Sequence, residues 1–511
     1  VPNQQLRTDL NFIVLASIAG RLASFVQQIV LASVLVDEDY GIAAAALGVF
    51  SLTAVLRNGG GWMALGSLRS EEFETQGGPT FWACLFVCML GAIITLISAP
   101  VASQHYANDA VGWVMVIYAA QLLASGFEQY SRAKIRAAMR LRALSILLSA
   151  SSLVQCGASI GLAFGGAGVL ALALPMLIGT VLDAVVCQSI AGLGPGAYRF
   201  RMSEVVSAFR ALVPIFVLSV LTSINLGMDY LIASNLLGTA ALGIYAFAYK
   251  IASQPYILLT MSLQRVLVSA SLIASDHWQV RNRWLSGMAT TVFFAVPAVC
   301  TAVALVFPWL ENMIWNGKWQ DANFLVVTLS LGLSGPVALG ILVTPMLAER
   351  RYMVVLVTEG VRSASVIAGA FLGLLVIARL PVLGVGDLAR ARGMAIGVSL
   401  VTTVSSIGTA LWLLRSAGLR VRSLFEALLS GPIVCFLAGF GAYNIGISLE
   451  RSFELFSGRL GSLGIVSIVI LMYALTLLLA LQVLPSLHAP YRNILGSAVN
   501  LLQRWKLVSR D

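Results

Sequence analysis

Three features of the sequence predict an all-α, polytopic membrane fold. The 511 residues are 59% hydrophobic and only 11% charged, with mean hydropathy +0.90, whereas a soluble domain carries about 25% charged residues. Runs of about 20 apolar residues recur from one end to the other, each long enough to cross about 30 Å of hydrocarbon. No polar block is long enough for a soluble domain. Lipid is the solvent such a composition calls for, and helices satisfy their own backbone there.

Taken in order, the apolar runs predict fourteen spans, roughly at 10–36, 41–66, 80–100, 110–130, 144–164, 168–190, 211–235, 240–270, 287–308, 323–347, 353–378, 393–414, 425–447 and 461–484. The first is too long for a signal-peptide core and contains Arg21, so it reads as a retained helix. With the N-terminus inside, inner segments hold about 21 Lys/Arg and outer loops about six, the other five lying within spans. Both termini are then cytoplasmic. This asymmetry also accounts for the net charge of +10. There is no basic domain to bind nucleic acid.

The segment Ser131–Arg142, SRAKIRAAMRLR, carries five cations and reads as an inner loop that anchors topology. It could also lie flat on an anionic leaflet, because Ile135 and Met139 share one helical face. The outer loops, around 379–392 and 448–460, are about a dozen residues at most, far below a domain. The six cysteines all fall in predicted spans and read as small apolar residues. His105, His277 and His488 are scattered in loops, so no metal cluster is visible and no cofactor is expected. Gly59-Gly60-Gly61 reads as close helix packing or a helix break, and Gly192-Leu193-Gly194-Pro195-Gly196 as a turn, since neither has the lysine and strand context of a phosphate loop.

An internal repeat is visible. Asp39-Tyr40-Gly41-Ile42-Ala43 opens a long Ala-rich helix, and Ala241-Leu242-Gly243-Ile244-Tyr245-Ala246 does the same about two hundred residues on, in the same orientation. Parallel six-helix repeats are a transporter plan with the substrate site between lobes. The expected division is a lobe at 1–205, a second at 206–415, two additional helices within 416–485 and a tail at 486–511.

Five cations lie within spans: Arg21, Arg57, Lys250, Arg265 and Arg362. An ionisable group in lipid is costly and by default marks an ion or substrate path. Lys250 and Arg265 are fifteen residues apart, within about 60° on one helix face. A cationic cavity suits an anionic ligand, since guanidinium forks match phosphate oxygens and a lysine adds a point charge. Bland readings stand beside this one. Arg265 is near enough to the inner face to snorkel. Arg362 has Glu359 one turn away, the spacing of a local ion pair. Arg21 and Arg57 have no acidic neighbour on their own helix. The sequence leaves two roles open for Asp229, carrying a coupling proton or Na⁺ or neutralising Lys250 across the turn at Leu237-Gly238-Thr239. Asp183, near the inner end of span six, is a coupling candidate or an interfacial acid.

The pattern Asn225…Asp229…Leu236-Leu237-Gly238…Leu242-Gly243-Ile244-Tyr245…Ala248…Pro255 resembles the seventh and eighth helices of bacterial polysaccharide flippases, members of the multidrug/oligosaccharidyl-lipid/polysaccharide (MOP) exporter superfamily. Tyr40-Gly41, the Arg57-Asn58-Gly59 region and the basic segment after span four are similar to that family too. Gly317-Lys318-Trp319 is similar to its glycine-x-tryptophan signature. The resemblance implies a transporter of the bacterial inner membrane that flips a polyprenyl-diphosphate-linked oligosaccharide, beside a polymerase and a chain-length regulator. The related peptidoglycan-precursor flippases have basic residues in helices one, two and eight. Arg21, Arg57, Lys250 and Arg265 occupy matching helices, which implies that they bind the diphosphate. A membrane glycan polymerase or ligase would need a large outer loop with clustered catalytic residues, and none is present. A drug exporter of the same superfamily usually takes cations, which a cationic cavity disfavours.

Overall fold

Residues that cap or break a helix punctuate the described structure. In the computed structural model, Asn108 ends one turn and caps the next helix, its Oδ1 accepting the Ala110 N–H at 2.9 Å. Gly192 closes another helix in the left-handed conformation, at φ 60. The residues described are 20, 23–58, 70–138, 140–193, 198–254, 278–348, 351–416, 421–452 and 458–483, with some side chains inside these helices, among them 55–58 and 211–219, left out.

In chain order the helices are α1 (Ala23–Val34), α2 (Asp37–Asn58), α3 (Ser70–His105), α4 (Asp109–Ala137), α5 (Leu141–Phe164), α6 (Leu170–Ala191), α7 (Met202–Leu236), α8 (Thr239–Ala252), α9 (Trp278–Trp315), α10 (Ala322–Ala348), α11 (Tyr352–Leu375), α12 (Asp387–Ser416), α13 (Val421–Ser452) and α14 (Gly458–Val483). Among the described residues, ten helices are long and apolar enough to cross a membrane. They coincide one for one with predicted spans three to six and nine to fourteen. Predicted spans one, two, seven and eight fall partly on residues or side chains outside those described.

Two of the boundaries that differ from the sequence reading are instructive. The basic segment is not a loop from Ser131, because α4 continues through it to Ala137. Arg132 is drawn into the helix by ion pairs, and Ile135 is buried against Leu144, Leu147 and Cys187. A flat helix on the leaflet, with Ile135 facing lipid, is therefore ruled out. The second boundary is the start of α12, at Asp387, six residues before the predicted span at 393. An acidic first turn favours that start, since a carboxylate complements the helix N-terminus.

The chain divides into two compact units, 1–243 and 244–511, the division falling inside α8. In the first, α3 packs on α4, α4 on α6 and α5 on α6, while α7 lies against α2 and α3. The second repeats the pattern, with α9 on α10, α10 on α12 and α11 on α12. The repeat extends to single residues. Arg140 and Arg351 sit at matching helix breaks with φ/ψ of −83/52 and −81/58, their N–H groups reaching the carbonyls of Ile135 and Met346.

The two last helices pack on α9. Trp309 donates to Glu450 at 3.1 Å, and the Tyr473 hydroxyl donates to the Ala298 carbonyl at 3.1 Å. One close helix pair is α11–α12, where Gly369 and Gly373 face Gly393 and Gly397. A Cβ on any of these four would strike backbone. Small residues four apart allow this approach in the absence of a hydrophobic drive between helices.

Candidate functional site

Of the four cations expected to line the site, Lys250 is the one whose side chain is described. Arg21 and Arg265 lie outside the described residues. Arg57 lies in the last turn of α2, but its side chain is not described. Lys250 stands near the end of α8, where Ser253 and Gln254 both hydrogen-bond to its carbonyl. Between Ala241 and Ala252 it is the only exposed residue; every other is buried or half-buried. Within its own unit no ion pair engages it among the described residues. An exposed cation on an otherwise packed helix calls for water or an anion, because lipid would solvate it poorly.

The packing that holds α8 comes from Gly317-Lys318-Trp319. Asn316 and Gly317 turn the chain through left-handed conformations, φ 57 and φ 85. The buried Glu311 accepts the Trp319 N–H at 2.8 Å. Trp319 then stacks on Phe247 at 4.1 Å between ring centroids. The glycine supplies the backbone conformation and the tryptophan fills the space against α8, which orients the helix that carries Lys250.

Asp229 lies in α7 and is buried, its Oδ1 accepting the Tyr230 N–H at 2.9 Å. Gly227 and Leu231 face α2, where Gly227 meets Ser51 and Gly48 meets Leu231. Asp229, about 200° around the helix from Gly227, points away from α2. It belongs to the first unit and Lys250 to the second.

Asp183 is placed in an ion pair that the sequence did not reveal. Buried on α6, it meets the Arg132 guanidinium of α4, which also binds Glu128 at 2.6 Å one turn back. Glu128 and Arg132 are four apart, a spacing readable in the sequence. Nothing in the sequence pointed from Arg132 to Asp183, fifty-one residues on. The predicted Arg362–Glu359 pair is present at 3.8 Å.

At the end of the first unit that carries the starts of α2 and α8, the repeated motifs meet. A Cβ on Gly41 would strike the Thr239 carbonyl, and a Cβ on Gly243 would strike the Asp37 carbonyl. In the repeat Gly41 corresponds to Gly243 and Asp37 to Thr239, so the two contacts are one contact made twice about a local two-fold. Tyr106 braces the same end, its hydroxyl donating to Ser234 at 2.8 Å. Burial raises the Tyr106 phenol above its ordinary range, and the Ser234 bond offsets part of that rise. All six cysteines are buried free thiols. No cluster of three metal-ligating side chains occurs among the described residues.

Residues 30–323 match the family model described as polysaccharide biosynthesis protein. The chain belongs to this family. Its fold is that of the MOP exporters. A solved structure of "Lipid II flippase MurJ, inward closed conformation" superposes with TM-score 0.70 over 92% of this chain and 98% of that one, at 15% identity. A "multidrug resistance MATE family transporter of the MOP superfamily" in an inward-facing conformation matches with TM-score 0.53 over 80% of this chain and 96% of that one, at 14% identity. No curated protein sequence matches. The chain is thus a multi-pass membrane protein of the polysaccharide biosynthesis class.

Proposed function

We propose that this protein is a flippase, not an enzyme, and that it moves a polyprenyl-diphosphate-linked oligosaccharide across the bacterial inner membrane. The carrying observation is Lys250, an exposed cation on a helix packed at every neighbouring position. Family membership supports a glycan pathway, and the MurJ neighbour, titled a lipid II flippase, supports a lipid-linked substrate. Arg21, Arg57 and Arg265 would complete a cationic lining that binds the diphosphate, while the prenyl tail stays in lipid. Lobes at 1–205 and 206–415 would rock about the site, opening inward and then outward. Both termini face the cytoplasm in this reading, and a polymerase and chain-length regulator would take over the product.

A proton or Na⁺ at Asp229 is the proposed coupling device. Asp229→Asn should then abolish pH- or Na⁺-dependent transport while leaving substrate binding. If Asp229 instead neutralises Lys250, the loss should be partly rescued by Lys250→Gln, because removing one partner strands the other.

Surface polysaccharide, measured in a strain that relies on each variant at matched membrane levels, tests the site. Each arginine-to-alanine change should remove a charge-assisted contact worth roughly 1.5–3 kcal/mol, about ten- to a hundredfold in affinity. Arg→Lys should also impair, since the fork is lost while the charge stays. Normal export by an Arg21→Ala, Arg57→Ala double variant would remove the basis for a diphosphate site.

A further inference from the structure

Helix α11 presents an exposed apolar stripe that continues past the end of the helix. Val357, Val361, Phe371, Leu372 and Leu375 are all exposed, and their spacing keeps them on one face. The remainder of the helix packs on α12 and α10, so the stripe is the face that meets lipid. At 24 residues and about 1.5 Å each, α11 is about 36 Å long, enough to span about 30 Å of hydrocarbon. The segment after Leu375 therefore starts at the membrane boundary.

The chain there makes two 3₁₀ turns, Ile377–Arg379 and Pro381–Leu383, before α12 begins at Asp387. Its apolar side chains stay outside. Val376 and Leu380 are more than half exposed, Val382 is 94% exposed and Val385 98%. Residues 380–386, LPVLGVG, carry no charge, while Arg379 precedes them and an Asp387–Arg390 pair at 3.2 Å comes after.

This tip is held, not loose. The Leu383 N–H reaches the Leu380 carbonyl at 3.1 Å, and the Gly384 N–H reaches that of Pro381 at 3.3 Å. Leu383 is buried, and Arg392 donates to its carbonyl at 3.2 Å. Gly384 and Gly386, at φ 90 and φ 89, bracket Val385 with backbone that a side chain would strain. An ordered turn that holds aliphatic side chains in open space marks a contact surface.

We propose that the tip from Leu380 to Val385 inserts into the boundary between head groups and acyl chains, in the leaflet at that end of the bundle. In the orientation proposed above this is the outer leaflet. Arg379, Asp387 and Arg390 then lie at head-group level. Continuity favours lipid as the occupant, since the tip prolongs the lipid-facing stripe of α11. Size favours it too, because four aliphatic side chains fall short of the about 800 Å² per partner of a standard protein interface. Insertion would anchor the α11–α12 hairpin, already locked by its glycines, at one fixed depth.

Single cysteines at Val382, Val385, Leu375 and Gln320 test this in the full chain, since the six native thiols are buried. Each variant is labelled with an environment-sensitive fluorophore in phosphatidylcholine vesicles. Quenching is then compared between aqueous iodide and lipids bearing a nitroxide high on the acyl chain. Probes at Val382 and Val385 should be quenched by the nitroxide lipids within about twofold of the Leu375 probe. They should also be shielded from iodide at least severalfold relative to the exposed Gln320. Iodide quenching as strong as at Gln320 would place the tip in water and overturn the proposal. Shielding from both quenchers would mean that protein, such as a second copy, covers it, and would overturn the proposal equally.

Discussion

At the scale of single residues, burying a carboxylate is costly, and among the described residues Asp183 meets a guanidinium while Asp229 and Glu311 each accept a backbone N–H. Asp183 is nearly fully buried and depends on Arg132, whose side chain is one-quarter exposed and also serves Glu128. Asp183→Asn should lower stability by about 1–3 kcal/mol, less than for a fully buried pair because water reaches the arginine. Arg132→Met should cost at least as much, since the Glu128 pair is lost too, and the double variant should lose less than the two single losses added. Thermal melting of the purified variants as a double-mutant cycle measures it, and a coupling energy near zero would refute the pair. Gly317 illustrates a backbone cost instead. Gly317→Ala should destabilise by about 1–2 kcal/mol, because left-handed backbone is unfavourable for a residue with a Cβ. Asn316→Gly, at φ 57, should be neutral or stabilising in the same melting experiment.

At the scale of elements, glycine sets how closely helices approach. Gly397→Leu should split the α11–α12 pair and lower both yield and melting temperature, whereas Gly360→Leu, facing open space on α11, should do neither. Equal melting temperatures for the two would show that the close approach contributes nothing. The starts of α2 and α8 use glycine in the same way. If that contact closes one end of the transport path, Gly41→Ala or Gly243→Ala should hold it open. A cysteine at Lys250 should then react faster with a membrane-impermeant reagent added from that side. An unchanged rate in a folded variant would make the contact structural only. The α2–α8 glycine pair could be anticipated from the repeat, since both glycines stand in the repeated motif. The α11–α12 glycines stand in the sequence at four-residue spacing as well, but spacing alone does not say which helix is the partner.

At the scale of the whole molecule, the lysine/arginine asymmetry predicts one orientation. Cysteines at Gln104 and Gln320 should label from outside intact cells, and one at Ala138 only after the inner face is opened; all three positions are exposed. External labelling at Ala138 would reverse the orientation and move the Leu380–Val385 tip to the other leaflet.

The class of fold is legible in the chain, because hydrocarbon thickness sets span length and apolar runs of that length are countable. The family is legible too, through the Leu237–Tyr245 and Gly317–Trp319 motifs, and Lys250 stands out because a lone lysine in an apolar run is visible without any structure. The Arg362–Glu359 pair could be read too, since helical spacing brings near neighbours together. Only the packing of the helices shows that Arg132 leaves the predicted loop for Asp183, that Glu311 holds the turn at Gly317, and that Val382 and Val385 are exposed. These facts depend on residues far apart in the chain, or on which face of a helix is covered. Local periodicity carries no record of either, because it is set by the neighbour on the same helix and not by the helix packed across from it.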